Sequence, residues 1–151
     1  MAACSECGAE IEGGDEGCRQ LMADLTVRSP DPRRLVVRRI VVDAYALQHP
    51  ASRCATDKDI AGHLLSLCCA LEYDNSLAIQ SGMNRWLRRA RDLPALTPPS
   101  FRGGRTIVDA DAARSIEEYI DNVRKWGLSV WEAWHPYHEL VRGWIEEIRA
   151  R

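Results

Sequence analysis

Cys4 and Cys7 stand two residues apart with Gly8 directly behind them, and Cys18 follows across a loop that carries Gly13, Gly14 and Gly17. A CxxCG turn aims two thiolates at one ion while the amides of the turn face their sulfurs, and the glycine relieves crowding just after the second ligand. Zinc takes four ligands in a tetrahedron, and its structural sites are closed by Cys or His. The spacing therefore predicts one zinc ion on Cys4, Cys7 and Cys18, with a fourth ligand from farther along the chain. A redox dithiol is the competing chemistry, but no βαβ pattern accompanies the motif.

Four histidines are available for the fourth position. His49 sits at a helix end beside Pro50, where the backbone is fixed, and is the favoured ligand. His63 lies on an apolar helical face, where a lone histidine is more often part of the core. His135 and His138 flank Pro136, which breaks the face they would share. His63 and His138 are the alternatives to His49. A water in the fourth position would instead leave an open, potentially catalytic site.

A second constellation lies in "VWEAWHPYHELVRGW". At helical spacing Trp131, Trp134 and His138 fall on one face, with Arg142 a turn further on. The plain reading is an aromatic core helix. The sharper one is an aromatic-walled pocket with His138 as base or ligand and Arg142 as anion clamp. Asp43, embedded in an apolar run, would orient a histidine or pair with Arg39. His138, Arg142 and Asp43 are thus the catalytic candidates should the protein be an enzyme. "FRGGRT" has the composition of a phosphate-holding loop, a common one. No HExxH helix, Walker loop or dinucleotide fingerprint occurs.

Composition sets the bounds. The chain has 151 residues, 46% hydrophobic and 28% charged, with a net charge of −2. That suits one globular domain, residues 1–151, divided into a zinc-binding arm with a short helix over 1–27 and a helical bundle over 31–151. No apolar run is long enough to span a membrane, so no membrane association is expected. "MAACSECGAE" has neither a basic nor an apolar signal region, and the expectation is a cytoplasmic protein whose thiols stay reduced. Cys54, Cys68 and Cys69 then read as small hydrophobes. Basic residues concentrate in the middle of the chain, and Arg85, Arg88, Arg89 and Arg91 give a nucleic-acid footprint less focused than such proteins usually carry. The partners consistent with this are a protein or a small molecule, with nucleic acid a third class.

The elements that must position these residues are helical, and no strand is predicted. A short helix is expected from Cys18 to about Val27, and "SPDPRR" breaks the chain after it. A helix over 31–48 has Val37, Ile40, Val41, Ala44 and Leu47 as its inward stripe and ends before His49–Pro50. Thr56 and Asp59 form a capping box ahead of a helix with Ile60, His63, Leu64, Leu67 and Leu71 as its buried face. Ser76 opens another, carrying Ile79, Met83, Trp86, Leu87 and Ala90. "LPALTPPSFRGGR" is a loop. From Ile116 to Ile148 apolar residues recur at three and four, with a kink or break expected near His135 because of Pro136. The fold class is all-α, a small bundle of about five or six helices with a zinc-knuckle arm at its N-terminus.

Taken together, the CxxCG start, the Cys at the head of a helix, "VDAYALQHP", "HLLSL", "PPSFRGGRTIVD" and "VWEAWHPYHELVRGW" resemble a bacterial family of small uncharacterised proteins, the domain-of-unknown-function family fifty-nine forty-six. The resemblance runs over nearly the whole chain, with "DAYALQHP" and the Trp-rich end its most specific parts. It implies a helical single-domain protein with Cys4, Cys7, Cys18 and His49 on the family's pattern positions, and it implies no activity. The stretch between Cys7 and Cys18 is shorter here than the family pattern and lacks a histidine, which strengthens His49 as the fourth ligand.

Overall fold

The computed structural model describes residues 1–28 and 31–151. Ser29 and Pro30, part of the expected break, lie outside the described residues. The chain opens with a two-stranded antiparallel ribbon, β1 (Ala2–Ala3) on β2 (Glu10–Ile11), in which Ala2 faces Ile11 and Ala3 faces Glu10. Helices follow: α1 (Gly14–Val27), α2 (Pro32–Leu35), α3 (Arg38–Gln48), α4 (Pro50–Arg53), α5 (Asp57–Glu72), α6 (Leu77–Arg89), α7 (Ile107–Asp111), α8 (Ile116–Ala133) and α9 (His138–Arg149). A 3-10 turn, His135–Tyr137, joins the last two. Of these nine α-helices among the described residues, α2, α4 and α7 amount to about one turn each. The all-α bundle expected from the sequence is present, with six helices of eleven residues or more forming its body.

The inward stripes follow the apolar period. Val37, Ile40, Val41, Ala44 and Leu47 are all buried on or just before α3, which packs against both α5 and α8. Ile60, Leu64 and Leu67 of α5, and Ile79, Met83 and Trp86 of α6, are buried as well, whereas His63 and Leu71, expected on the same buried face of α5, are only half-buried. Gly127 lets α8 approach α3 closely, since a methyl group there would stand 2.5 Å from Ile40 Cγ2. The capping box at Thr56 and Asp59 forms as expected, and the same device recurs at Thr106 and Asp109 to start α7. At Pro136 the helix breaks: α8 ends at Ala133, Trp134 closes it, and α9 begins four residues later at His138.

Three local outcomes differ from the sequence expectations. The first helix starts at Gly14 rather than Cys18, with Gly13 in the left-handed region (φ +87°) and Asp15 and Glu16 in a first turn that favours acids. The helix expected over 31–48 is two helices, parted at Val36 and Val37, where Val37 turns inward to full burial. The N-terminal arm, expected without strands, contains the short ribbon, whose pairing closes the base of the cysteine turn.

Candidate metal centre

The ribbon and the CSECG turn form one unit. Cys4 N–H donates to Ala9 O (2.8 Å) and Gly8 N–H to Cys4 O (2.8 Å), with Gly8 at φ +79°, a backbone only glycine adopts without strain. The amides of Cys7 and Glu6 point at the Cys4 sulfur and that of Ala9 at the Cys7 sulfur, each favouring the thiolate. The turn is thus already arranged to hold two negative sulfurs side by side.

Cys18 and His49 reach the same point from two helices. Cys18 lies in the first turns of α1, fully buried. His49 follows the last residue of α3, where its own N–H still bonds Ala46 O and Pro50 prevents continuation of the helix. His49 Nε2 lies 3.4 Å from Cys18 Sγ and 3.6 Å from Cys4 Sγ, and Cys7 Sγ is 3.9 Å from Cys18 Sγ. The four ligand atoms all lie within 4.8 Å of one another. This group can bind a metal ion.

The surroundings fix the ligands. His49 Nδ1 donates to Tyr45 O (2.7 Å), which leaves Nε2 with its lone pair toward the thiols. The imidazole stacks on the Tyr45 ring at 3.9 Å, and Arg53 covers that ring at 4.8 Å. Tyr45 O–H donates to Cys18 Sγ (3.7 Å). The contact with Cys7, helped by His49 and Tyr45, lowers the Cys18 thiol, and the same contact with burial raises Cys7. Burial also raises Cys4 and the Tyr45 phenol. In a metal site the ion takes over the charge that these groups otherwise divide.

Ser5 and Glu6, the residues between the cysteines, tie the turn to the helices. Asp15 of α1 accepts from Ser5 N–H (2.6 Å) and Ser5 O–H (2.8 Å), which lowers the Asp15 carboxyl. The Glu6 carboxylate accepts from Ala51 N–H (2.9 Å) and Ser52 O–H (2.6 Å) at the start of α4. Arg102 then donates to Glu6 O (3.1 Å), Gln48 O (3.4 Å) and Pro99 O (3.0 Å), so the "FRGGRT" loop spends its half-buried arginine on carbonyls. Gln48, fully buried, donates to Arg102 O (3.0 Å) and Arg105 O (2.7 Å) and accepts from Trp126 Nε1 (2.9 Å). Metal turn, α3, loop and α8 are joined by one polar network.

The other sequence candidates lie elsewhere. His63 Nδ1 bonds Asp43 Oδ1 (2.9 Å), so Asp43 does orient a histidine, and neither belongs to the cysteine group. The His138 ring stacks on Trp131 at 3.9 Å and Nε2 donates to Trp131 O (2.6 Å). Arg142 grips Glu72 with two bonds (2.7 and 2.8 Å), and Glu72 also accepts from Trp131 Nε1 (2.7 Å), contacts that lower the Glu72 carboxyl. Trp134 is buried beside Tyr137. Arg85, Arg88, Arg89 and Arg91 are exposed at the end of α6 and just beyond it. Glu6, Gln48 and Arg102 have parts that no spacing rule announces. The one hint was their place within or beside the motifs "CSECG", "LQHP" and "PPSFRGG".

A family model matches residues 2–135. The chain belongs to the family of unknown function DUF5946. The span matched to DUF5946 contains Cys4, Cys7, Cys18 and His49 and stops short of His138 and Arg142. No curated protein and no solved structure matches the chain. Among the described residues of this DUF5946 chain, no helix is long and apolar enough to cross a membrane.

Proposed function

We propose that Cys4, Cys7, Cys18 and His49 hold one zinc ion in a closed structural site, and that the protein is a small cytoplasmic binding or interaction module whose fold that ion completes. The observation that carries this is the geometry of the four ligand atoms. A tetrahedral zinc with bonds of about 2.3 Å to sulfur and 2.0–2.1 Å to nitrogen separates sulfurs by about 3.8 Å and sulfur from nitrogen by about 3.5 Å. The corresponding distances here are 3.9 Å for Cys7–Cys18, and 3.4 and 3.6 Å from His49 to Cys18 and Cys4. A chemically oxidised pair would need sulfurs at about 2.05 Å.

Two features favour a structural role over catalysis. Four protein ligands leave no position for water or substrate, and Cys4, Cys18 and His49 are buried. The site also clamps the arm to α1 and the end of α3, alongside the Asp15 and Glu6 hydrogen bonds, so metal binding becomes folding free energy. The binding role then falls to the helical surface, with a protein or small-molecule partner. Removing zinc with a chelator, with the loss verified by metal analysis, should lower the melting temperature substantially. Unchanged melting after complete removal would end the structural reading.

A further inference from the structure

The most unusual feature away from the cysteine site is a polar cleft of about 310 Å³ between α3, α5 and α6. Its walls carry Arg39 and Asp43 from α3, Lys58, His63 and Ser66 from α5, and Asn84 from α6. Asp43 is 4% exposed; its Oδ1 accepts from His63 Nδ1–H, while Oδ2 accepts no hydrogen bond among the described residues. Arg39 donates to Ser66 Oγ (3.0 Å), and its buried Nε has no partner. Burial pushes the Asp43 carboxyl up, while His63, Ser66 and the Arg39 charge pull it back.

An incompletely satisfied carboxylate next to an incompletely satisfied guanidinium is costly, and a leucine would fill that space at less expense. The arrangement gives a return at the cleft wall. With Nδ1 held by Asp43, His63 has a fixed ring orientation, and Nε2 has no hydrogen-bond partner among the described residues on a side chain that is still 27% exposed. Arg39 and Lys58 make no ion pair among the described residues. Asp59 also lines the cleft, and its Oδ2 accepts from the amides of Ala55 and Thr56 at the start of α5. The cleft therefore combines two available cations with an oriented imidazole, at the lower end of the usual volume of small-molecule sites.

We propose that this cleft binds a small oxyanion-bearing molecule, a carboxylate or phosphate compound, with Lys58 and Arg39 holding the anion beside the oriented His63 ring. Asp43 is a positioning residue that acts through His63. The site is independent of the metal reading, since none of its residues belongs to the cysteine group.

The test is a titration of the purified full-length, metal-bearing protein with inorganic phosphate, followed by imidazole 1H–15N correlation spectra that resolve the four histidines. The His63 signals should move saturably with an affinity in the millimolar range while those of His135, exposed elsewhere, stay still. Lys58→Gln, an exposed change that leaves the fold intact, should weaken that affinity by about five- to tenfold, the loss of one charge-assisted contact. No movement of His63 up to about 20 mM phosphate, well above a millimolar Kd, would overturn the proposal. So would equal, unsaturating shifts at His63 and His135, or an affinity unchanged in Lys58→Gln.

Discussion

Gln48→Leu replaces the buried amide that joins the end of α3 to α8 and to the 93–105 loop with an apolar side chain of similar size, so the cost is polar rather than a cavity. Trp126 N–H, fully buried, loses the acceptor it has among the described residues. An orphaned buried donor costs about 1–3 kcal/mol. The carbonyls of Arg102 and Arg105 lose their Gln48 bonds but sit on half-exposed or exposed residues, and solvent recovers part of each bond, worth about 0.5–1.5 kcal/mol. The sum is about 3 kcal/mol, a large part of the 5–15 kcal/mol typical of a whole domain. In a chain of this length that corresponds to roughly 6–12 °C in melting temperature. Urea unfolding at fixed zinc, monitored by circular dichroism, measures it. Gln48 contacts none of the four ligand atoms, so the metal content of the folded variant should be unchanged. A destabilisation below about 1 kcal/mol would refute the claim that this amide ties the site to the bundle.

Gly127→Ala places a methyl group 2.5 Å from Ile40 Cγ2 and should destabilise by about 1–3 kcal/mol through overpacking. Ile40→Ala, which removes Cγ2, should cost less in the Gly127→Ala background than alone, and simple additivity in a double-mutant cycle would contradict the close α3–α8 approach. The Glu72 carboxyl is held below its ordinary range by Arg142 and Trp131, so its folded pKa lies under its unfolded one. Its contribution is therefore present above about pH 4.3, the unfolded value, and disappears as pH falls through the folded pKa. Glu72→Gln should accordingly be less stable than wild type at neutral pH, with the two melting temperatures converging in acid. A gap that stays constant from pH 7 to pH 3 would count against the Arg142–Glu72 charge pairing.

The legible parts of this molecule are those whose chemistry is local. Cys4, Cys7 and Gly8 announce a metal turn because two thiolates and a left-handed residue are needed within five positions. Thr56 and Asp59 announce a helix start, and the stripe from Val37 to Leu47 announces a buried face, because caps and helical period are written in adjacent turns. His49 was harder: beside Pro50 its backbone is fixed, but its meeting with Cys4, 45 residues away, needs the tertiary fold. The split between α2 and α3 left no mark, because it falls at two valines, with neither Gly nor Pro to punctuate it. Gln48 and Trp126 lie 78 residues apart, and Arg102 and Glu6 lie 96 apart. Buried polar partners at such separations are chosen by packing, not by spacing. Asp43 was readable as a polar residue in an apolar run, but only the crossing of α3 and α5 selects His63 as its partner.

The central claim is tested most directly by metal content per chain, measured on purified wild-type protein beside Cys18→Ser and His49→Ala. The account predicts one zinc per chain in the wild type and loss of zinc together with stability in both variants. Zinc retained at full stoichiometry in His49→Ala, or no metal in any of the three proteins, would contradict it.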